Sequence, residues 1–239
     1  MTLMKCKVGM NSELLGDFFG VQLSVVSQVL NTWLKFLAYE LKPLIHWPDK
    51  EITKETLPHV YTSIAPNLRC IIDCTKIFIE RPRDMELQAQ TWSDYKKKNN
   101  TLKFLVAMAP NGSISYIFEA YGGRASDRFI VMDSGFLNLI DPTDEVMADR
   151  GFPIQSDLVM RQANLIIPPP GQGSEQMTKE NVLKTKAVAN VRIHVERAIG
   201  RIKCFQILTN TLPITLVPLA NEIFTICSAV SNLQPPLVK

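Results

Sequence analysis

Three acidic residues stand in places where a carboxylate needs a reason. Asp73 interrupts the apolar run "CIIDCTKIF", where burying its charge is costly unless it faces a cleft, a partner or a metal ion. Asp149 ends the short apolar run "VMAD" and is followed by Arg150 and Gly151, at the kind of strand end where open α/β sheets present ligand groups. Glu196 is the one acid in "VRIHVERAIGRIK", among Arg192, Arg197, Arg201 and Lys203. Carboxylate oxygens are what hard Mg²⁺ and Mn²⁺ ions take, usually a few of them completed by water and substrate phosphate. Two such ions roughly 3.5–4 Å apart can activate a water and stabilise the leaving 3′ oxygen of a phosphodiester. Structural salt bridges can also absorb three acids, and their spacing alone leaves both readings open.

The bases around these acids are unevenly distributed. From Lys179 to Lys203 there are seven bases against two acids, a local surplus larger than the +3 of the whole chain. A second cluster, "WSDYKKKNN", sets Trp92 and Tyr95 beside Lys96, Lys97 and Lys98, a mixture that can hold phosphate while stacking a base or can simply be a solvated turn.

Elements must carry these groups. Leu14, Leu15, Phe18 and Phe19, then Val25, Val26, Val29, Leu30, Trp33 and Leu34, recur at helical spacing on either side of Gly20, with Ser24 placed to cap the second helix. This predicts a helix-turn-helix over 11–42 whose Gln22, Ser27, Gln28 and Asn31 are of types that read base edges, or a plain helical hairpin packed on the rest. Residues 43–67 read as a proline-punctuated connector with a short helix. "RCIIDCTKIFIE", "LKFLVAMAP" and "SISYIFEAY" read as three strands, the last two joined by a tight turn at Asn111 and Gly112. Helices then alternate with short strands up to the basic helix bearing Glu196, which predicts a mixed α/β sheet. Gly200, one turn beyond Glu196, costs the helix about 1 kcal/mol relative to alanine and suggests a close neighbour there. Ser126 and Asp127 read as a helix start, Glu80 and Asp84 as a charged loop, and Cys74 as a core thiol on the strand face opposite Asp73.

The composition, 46% hydrophobic and 21% charged, is that of a folded globular chain of 239 residues. Its five cysteines form no C-x-x-C pair and its three histidines stand singly, so no zinc site of finger type is encoded. "LVPLANEIFTICSAVSNL" carries Asn221 and Glu222 and is expected to be a core helix, with no membrane partner.

"IIDCTKIFIERP", "QTWSDYKKKNNTLKFLVAMAPNG", "YGGRASD", "VMADRGF" and "VRIHVERAIGRIK" together resemble the DDE superfamily endonucleases of the Harbinger/PIF group of transposases and their domesticated relatives, over 68–233. The segment "FFGVQLSVVSQVLNTWLKFL" resembles the helix-turn-helix that precedes such domains. The resemblance implies a ribonuclease H-like mixed sheet with flanking helices, preceded by a small all-α segment. It implies a D-D-E triad of Asp73, Asp149 and Glu196 as catalytic residues and ligands of Mg²⁺ or Mn²⁺; beside it, Lys97, Lys98, Arg150 and Arg192 are candidate phosphate contacts and Trp92 and Tyr95 candidate stacking residues toward DNA. DNA, a Myb-like partner protein, a homodimer and the nucleus complete that expectation. Its alternative is a catalytically silent, domesticated relative serving as a DNA-associated or protein-binding adaptor.

Overall fold

The computed structural model describes residues 1–93, 99–149, 151–167 and 194–237. Three helices come first: α1 (Thr2–Val8), α2 (Ser12–Phe19) and α3 (Leu23–Leu41). Asn11 caps α2 by accepting from the Leu14 N–H at 2.7 Å, and Gly20 ends it in the left-handed region at φ 64°. The turn into α3 then differs from expectation. Gln22 occupies the cap position without a side-chain bond, and Ser24 lies inside the first turn. The connector holds α4 (Lys50–Glu55) and α5 (His59–Thr62).

A seven-stranded mixed sheet follows, formed by β1 (Leu68–Phe78), β2 (Trp92–Ser93), β3 (Asn99–Met108), β4 (Ile114–Ile117), β5 (Tyr121–Gly122), β6 (Glu145–Met147) and β7 (Asn164–Ile166). Its order is β2-β3-β1-β6-β7, with β4 and β5 also paired to β3. β1 runs antiparallel to β3 and parallel to β6, which is parallel to β7. Antiparallel strands first and parallel ones later give the expected mixed sheet of ribonuclease H-like order. The segment read as one third strand is split into β4 and β5, because the Ala120 N–H leaves the ladder and bonds the Asn221 side chain at 2.8 Å. Between β3 and β4, Gly112 turns the chain at φ 89°, a conformation that glycine adopts without a steric penalty.

Helices flank both faces: α6 (Met85–Thr91), α7 (Asp127–Asp133), α8 (Gln155–Val159), α9 (helical over 194–203), α10 (Gln206–Thr209) and α11 (Ala220–Asn232). Asp84 caps α6 and Glu80 accepts from the Ile214 N–H at 2.8 Å, so neither acid is idle loop charge. Ser126 caps α7 as expected.

The alternation along β1 sorts the core. Cys70 and Ile72 face α7 and α8, while Ile71 and Ile77 face the other side, where Ile71 meets α9 and Ile77 meets α3 and α11. The N-terminal helices are built into this second face rather than standing apart. Val26, Leu30, Leu34 and Ala38 of α3 share one apolar cluster with Phe104, Ile223, Phe224 and Cys227, and Phe104 stacks on Phe224 at 4.1 Å. The 19-residue stretch Ile214–Asn232, apolar and long enough to span a membrane, is half buried, and within it α11 packs against α3.

Because α3 shares its core with α11, Leu34→Ala should lower the stability of the whole fold by about 2–5 kcal/mol, the range for a buried leucine. Chemical denaturation followed by circular dichroism should show one displaced transition. A separate early transition with the main one unmoved would mean that the N-terminal helices fold on their own.

Candidate functional site

Asp73 lies in the middle of β1, opposite Val106 of β3, on the face toward α9. It is half-buried, and one carboxylate oxygen accepts from the Cys74 N–H at 2.7 Å. Asp149 follows β6 by two residues, where the chain turns through a bond from the Phe152 N–H to its carbonyl at 3.1 Å. Glu196 is exposed on α9.

Packing fixes the height of α9 over the sheet. Val195, Ala198 and Ile199 pack with Ile71 of β1, Met108 of β3, Met147 of β6 and Tyr61 of α5, which leaves Glu196 on the flank of that contact. Burial pushes the Tyr61 hydroxyl up to about 12. The His194 ring lies 6.5 Å from Tyr61, and burial followed by the nearby Arg197 charge holds its pKa below the ordinary value. Asp73, Asp149 and Glu196 line one small cleft together with Ile71, Ile72, Ala148 and Val195.

The cleft gathers the three acids without closing a cage around them. Among the described residues, no group of three or more His, Cys, Asp or Glu side chains converges as a ready-made metal site. Carboxylates that share a cleft but stand apart suit ions completed by water and phosphate rather than by protein alone.

The expected DNA contacts divide into two groups. Lys97, Lys98, Tyr95, Arg150 and Arg192 lie outside the described residues. Trp92 is half-buried in β2 opposite Asn100, six positions along β3 from the partner of Asp73, or about 20 Å away at strand rise. It borders a separate open cleft with Met85, Gln88 and Arg124. Of the bases on α9, Arg197 is exposed and Arg201 donates to the Pro235 carbonyl at 2.7 Å.

Two features near the acids escape a reading of sequence. Lys76 and Lys103 sit directly opposite each other on β1 and β3, a destabilising pairing unless each finds an outlet. Lys103 bonds Asp127 at 3.0 Å and the Ala125 carbonyl at 2.6 Å, while Lys76 reaches Ser93 at 2.9 Å. Asp127 is thus a counter-ion as well as a first-turn acid of α7. Cys74 lies on the opposite face from Asp73, as expected, and burial followed by Asp127 pushes its thiol far above the ordinary range. Gly200 departs from expectation: it is exposed, and an added Cβ would meet nothing within 4 Å, so no neighbour requires it.

The chain matches the DDE superfamily endonucleases over residues 72–232, more than half of its length, and belongs to that family. The matched span contains Asp73, Asp149 and Glu196. Among solved structures it is similar to the cryo-EM structure of a piggyBac transposase synaptic complex with hairpin DNA, at a TM-score of 0.46 and 10% identity. That likeness covers 68% of this chain and 45% of the other, so the chain spans under half of the transposase's length. No curated protein matches the chain.

Gly200→Ala should raise stability by about 0.5–1 kcal/mol, read as a higher denaturation midpoint. A loss instead would show that the glycine is needed for a conformation other than this helix. A thiol reagent at pH 8 should label exposed Cys204 quickly and leave buried Cys70 and raised Cys74 untouched until the protein unfolds. Fast labelling of Cys74, mapped by mass spectrometry, would contradict its placement in the core.

Proposed function

We propose that the chain is a metal-dependent DNA endonuclease or transposase of the Harbinger/PIF type, with Asp73, Asp149 and Glu196 as its D-D-E triad. The observation that supports this best is the shared cleft: three carboxylates from a strand, a strand end and a helix border one space. Their hard oxygen donors suit Mg²⁺ or Mn²⁺. Bound there, a pair of such ions would supply an activated water and charge stabilisation for a leaving 3′ oxygen.

The chain's own residues divide the remaining work. Asp73, held from behind by the Cys74 N–H, presents a fixed carboxylate from the most central strand. Glu196 stands on a helix whose packed side sets its position and whose outer side carries Arg197, a base suited to a phosphate backbone. Lys97, Lys98, Arg150, Arg192, Trp92 and Tyr95 are the proposed DNA contacts. Trp92, about 20 Å from Asp73, would meet a part of the strand remote from the scissile bond. α2 and α3 form the proposed helix-turn-helix, and the exposure of Ser27, Gln28 and Asn31 supports that role. A homodimer, a Myb-like partner and action in the nucleus belong to the same proposal and rest on the family resemblance.

Asp73→Asn, Asp149→Asn and Glu196→Gln should each lower Mg²⁺- or Mn²⁺-dependent nicking of supercoiled DNA by at least about 100-fold, since changes in outer-shell partners alone commonly cost 10–100-fold. Either ion should raise the melting temperature of the wild type and leave that of the variants unmoved. Nicking that survives all three changes would remove the triad from the chemistry. A folded wild type that neither binds an ion nor cuts would favour the adaptor reading.

A further inference from the structure

A half-open pocket lies away from the three acids. It is a cavity of about 620 Å³ where the end of α3, the connector, β4 and the first turns of α11 meet, and it shares no lining residue with the acidic cleft. Its size is that of a pocket for a small ligand or a large side chain. Two clamps hold it open: Asn221 accepts from the Ala120 N–H at 2.8 Å, and Asn232 bonds both the N–H and the carbonyl of Ile114 at 2.8 Å. β4 and α11 are therefore fastened at both ends, with the cavity between them.

The walls are aromatic. Tyr39, Trp47, Tyr116 and Phe118 line the space, with the last two rings stacked at 6.4 Å. Most of the polar groups there are already engaged. The Tyr116 hydroxyl donates to the Ser134 carbonyl at 2.7 Å, Thr225 to the Asn221 carbonyl at 2.8 Å and Ser115 to the Ala107 carbonyl at 3.3 Å. Two groups are exceptions: the Trp47 Nε1–H, buried without a partner on a ring that already carries the Arg69 guanidinium at 4.8 Å, and Glu222. Glu222 lines the cavity, and its Oε2 is buried with no hydrogen-bond partner, which leaves an acceptor unsatisfied. Glu119 adds a second carboxylate to the lining, against the single base Lys42.

An apolar, aromatic space with surplus negative charge selects a cation on an apolar stem. Aromatic faces attract such a cation, and a nearby carboxylate adds charge and hydrogen-bond acceptors. We infer that this cavity is a binding site for a guanidinium or ammonium group carried on a short alkyl stem. Two sources share that chemistry: an arginine or lysine side chain of a partner polypeptide, and a free alkylamine.

Calorimetric titration without divalent ions or DNA tests this independently of any nuclease activity. The probes are an acetylated, amidated tripeptide with a central arginine, its citrulline counterpart, and agmatine. Saturable binding of the arginine peptide or agmatine, at least tenfold weaker for the citrulline peptide and for Glu222→Gln and Tyr39→Ala, would support the site. The stronger of the two cationic probes identifies the source. Tyr39 is 78% exposed, so its variant serves if Glu222→Gln fails to fold. Absence of saturable binding by either cation, equal binding of the citrulline peptide, or undiminished binding by folded variants would overturn it.

Discussion

The antiparallel pairing of β1 with β3 is the constraint on which the rest depends. Eight consecutive residue pairs, from Ile71 with Met108 to Phe78 with Thr101, set which face every side chain of β1 takes. A slip of one residue would turn Asp73 toward α7 and α8 and drive Cys74 toward α9, exchanging a carboxylate and a thiol between two differently packed faces. The register is held by burial on both sides, since Ile71, Ile72 and Ile77 are each almost wholly hidden. The like-charged Lys76 and Lys103 pair survives within it because each amine has its own acceptor, Ser93 of β2 for Lys76 and the Ala125 carbonyl and Asp127 for Lys103. The position of a single polar residue in an apolar strand is therefore enforced by the apolar ones around it.

Two further elements meet that strand. β6 runs parallel beside β1 and delivers Asp149 just beyond its end, while α9 crosses on a patch of Val195, Ala198 and Ile199. Neither contact involves the acids themselves. Acids placed at the margins of hydrophobic contacts remain reachable from solvent and yet are carried by rigid elements, which is what a site needs when its ligands must be both accessible and fixed.

Much of this could be read from residue order, for physical reasons that differ from element to element. β1 was visible because β-branched residues crowd it, and Asp73 because a carboxylate in such a run has few cheap explanations. Ser126 announced α7 because capping is local chemistry. What escaped was non-local. The break between β4 and β5 depends on Asn221, some hundred residues later in the chain, reaching back to the Ala120 N–H. The burial of α3 against α11 depends on two helices at opposite ends of the sequence, whose apolar stripes say that each has a partner but not which one. Gly200 misled because the helix cost of glycine suggested a compensating contact, and the space beside it is open.

The union of α3 with α11 also bears on how the N-terminal helices work. In the proposed role of DNA reader, a helix pair that hung from a flexible connector would sample many orientations and lose affinity to the entropy of fixing one. Here α3 is anchored along Val26, Leu30, Leu34 and Ala38, so its exposed side, with Ser27, Gln28 and Asn31, has a set direction relative to the sheet that carries Asp73. Whatever that side touches is therefore placed at a defined distance from the acidic cleft. α11, clamped to β4 by Asn221 and Asn232, is the strut through which that distance is transmitted. The same strut walls the aromatic cavity, so an occupant that shifted the start of α11 would act on the seat of α3 through contacts already formed, without needing to reach the acids.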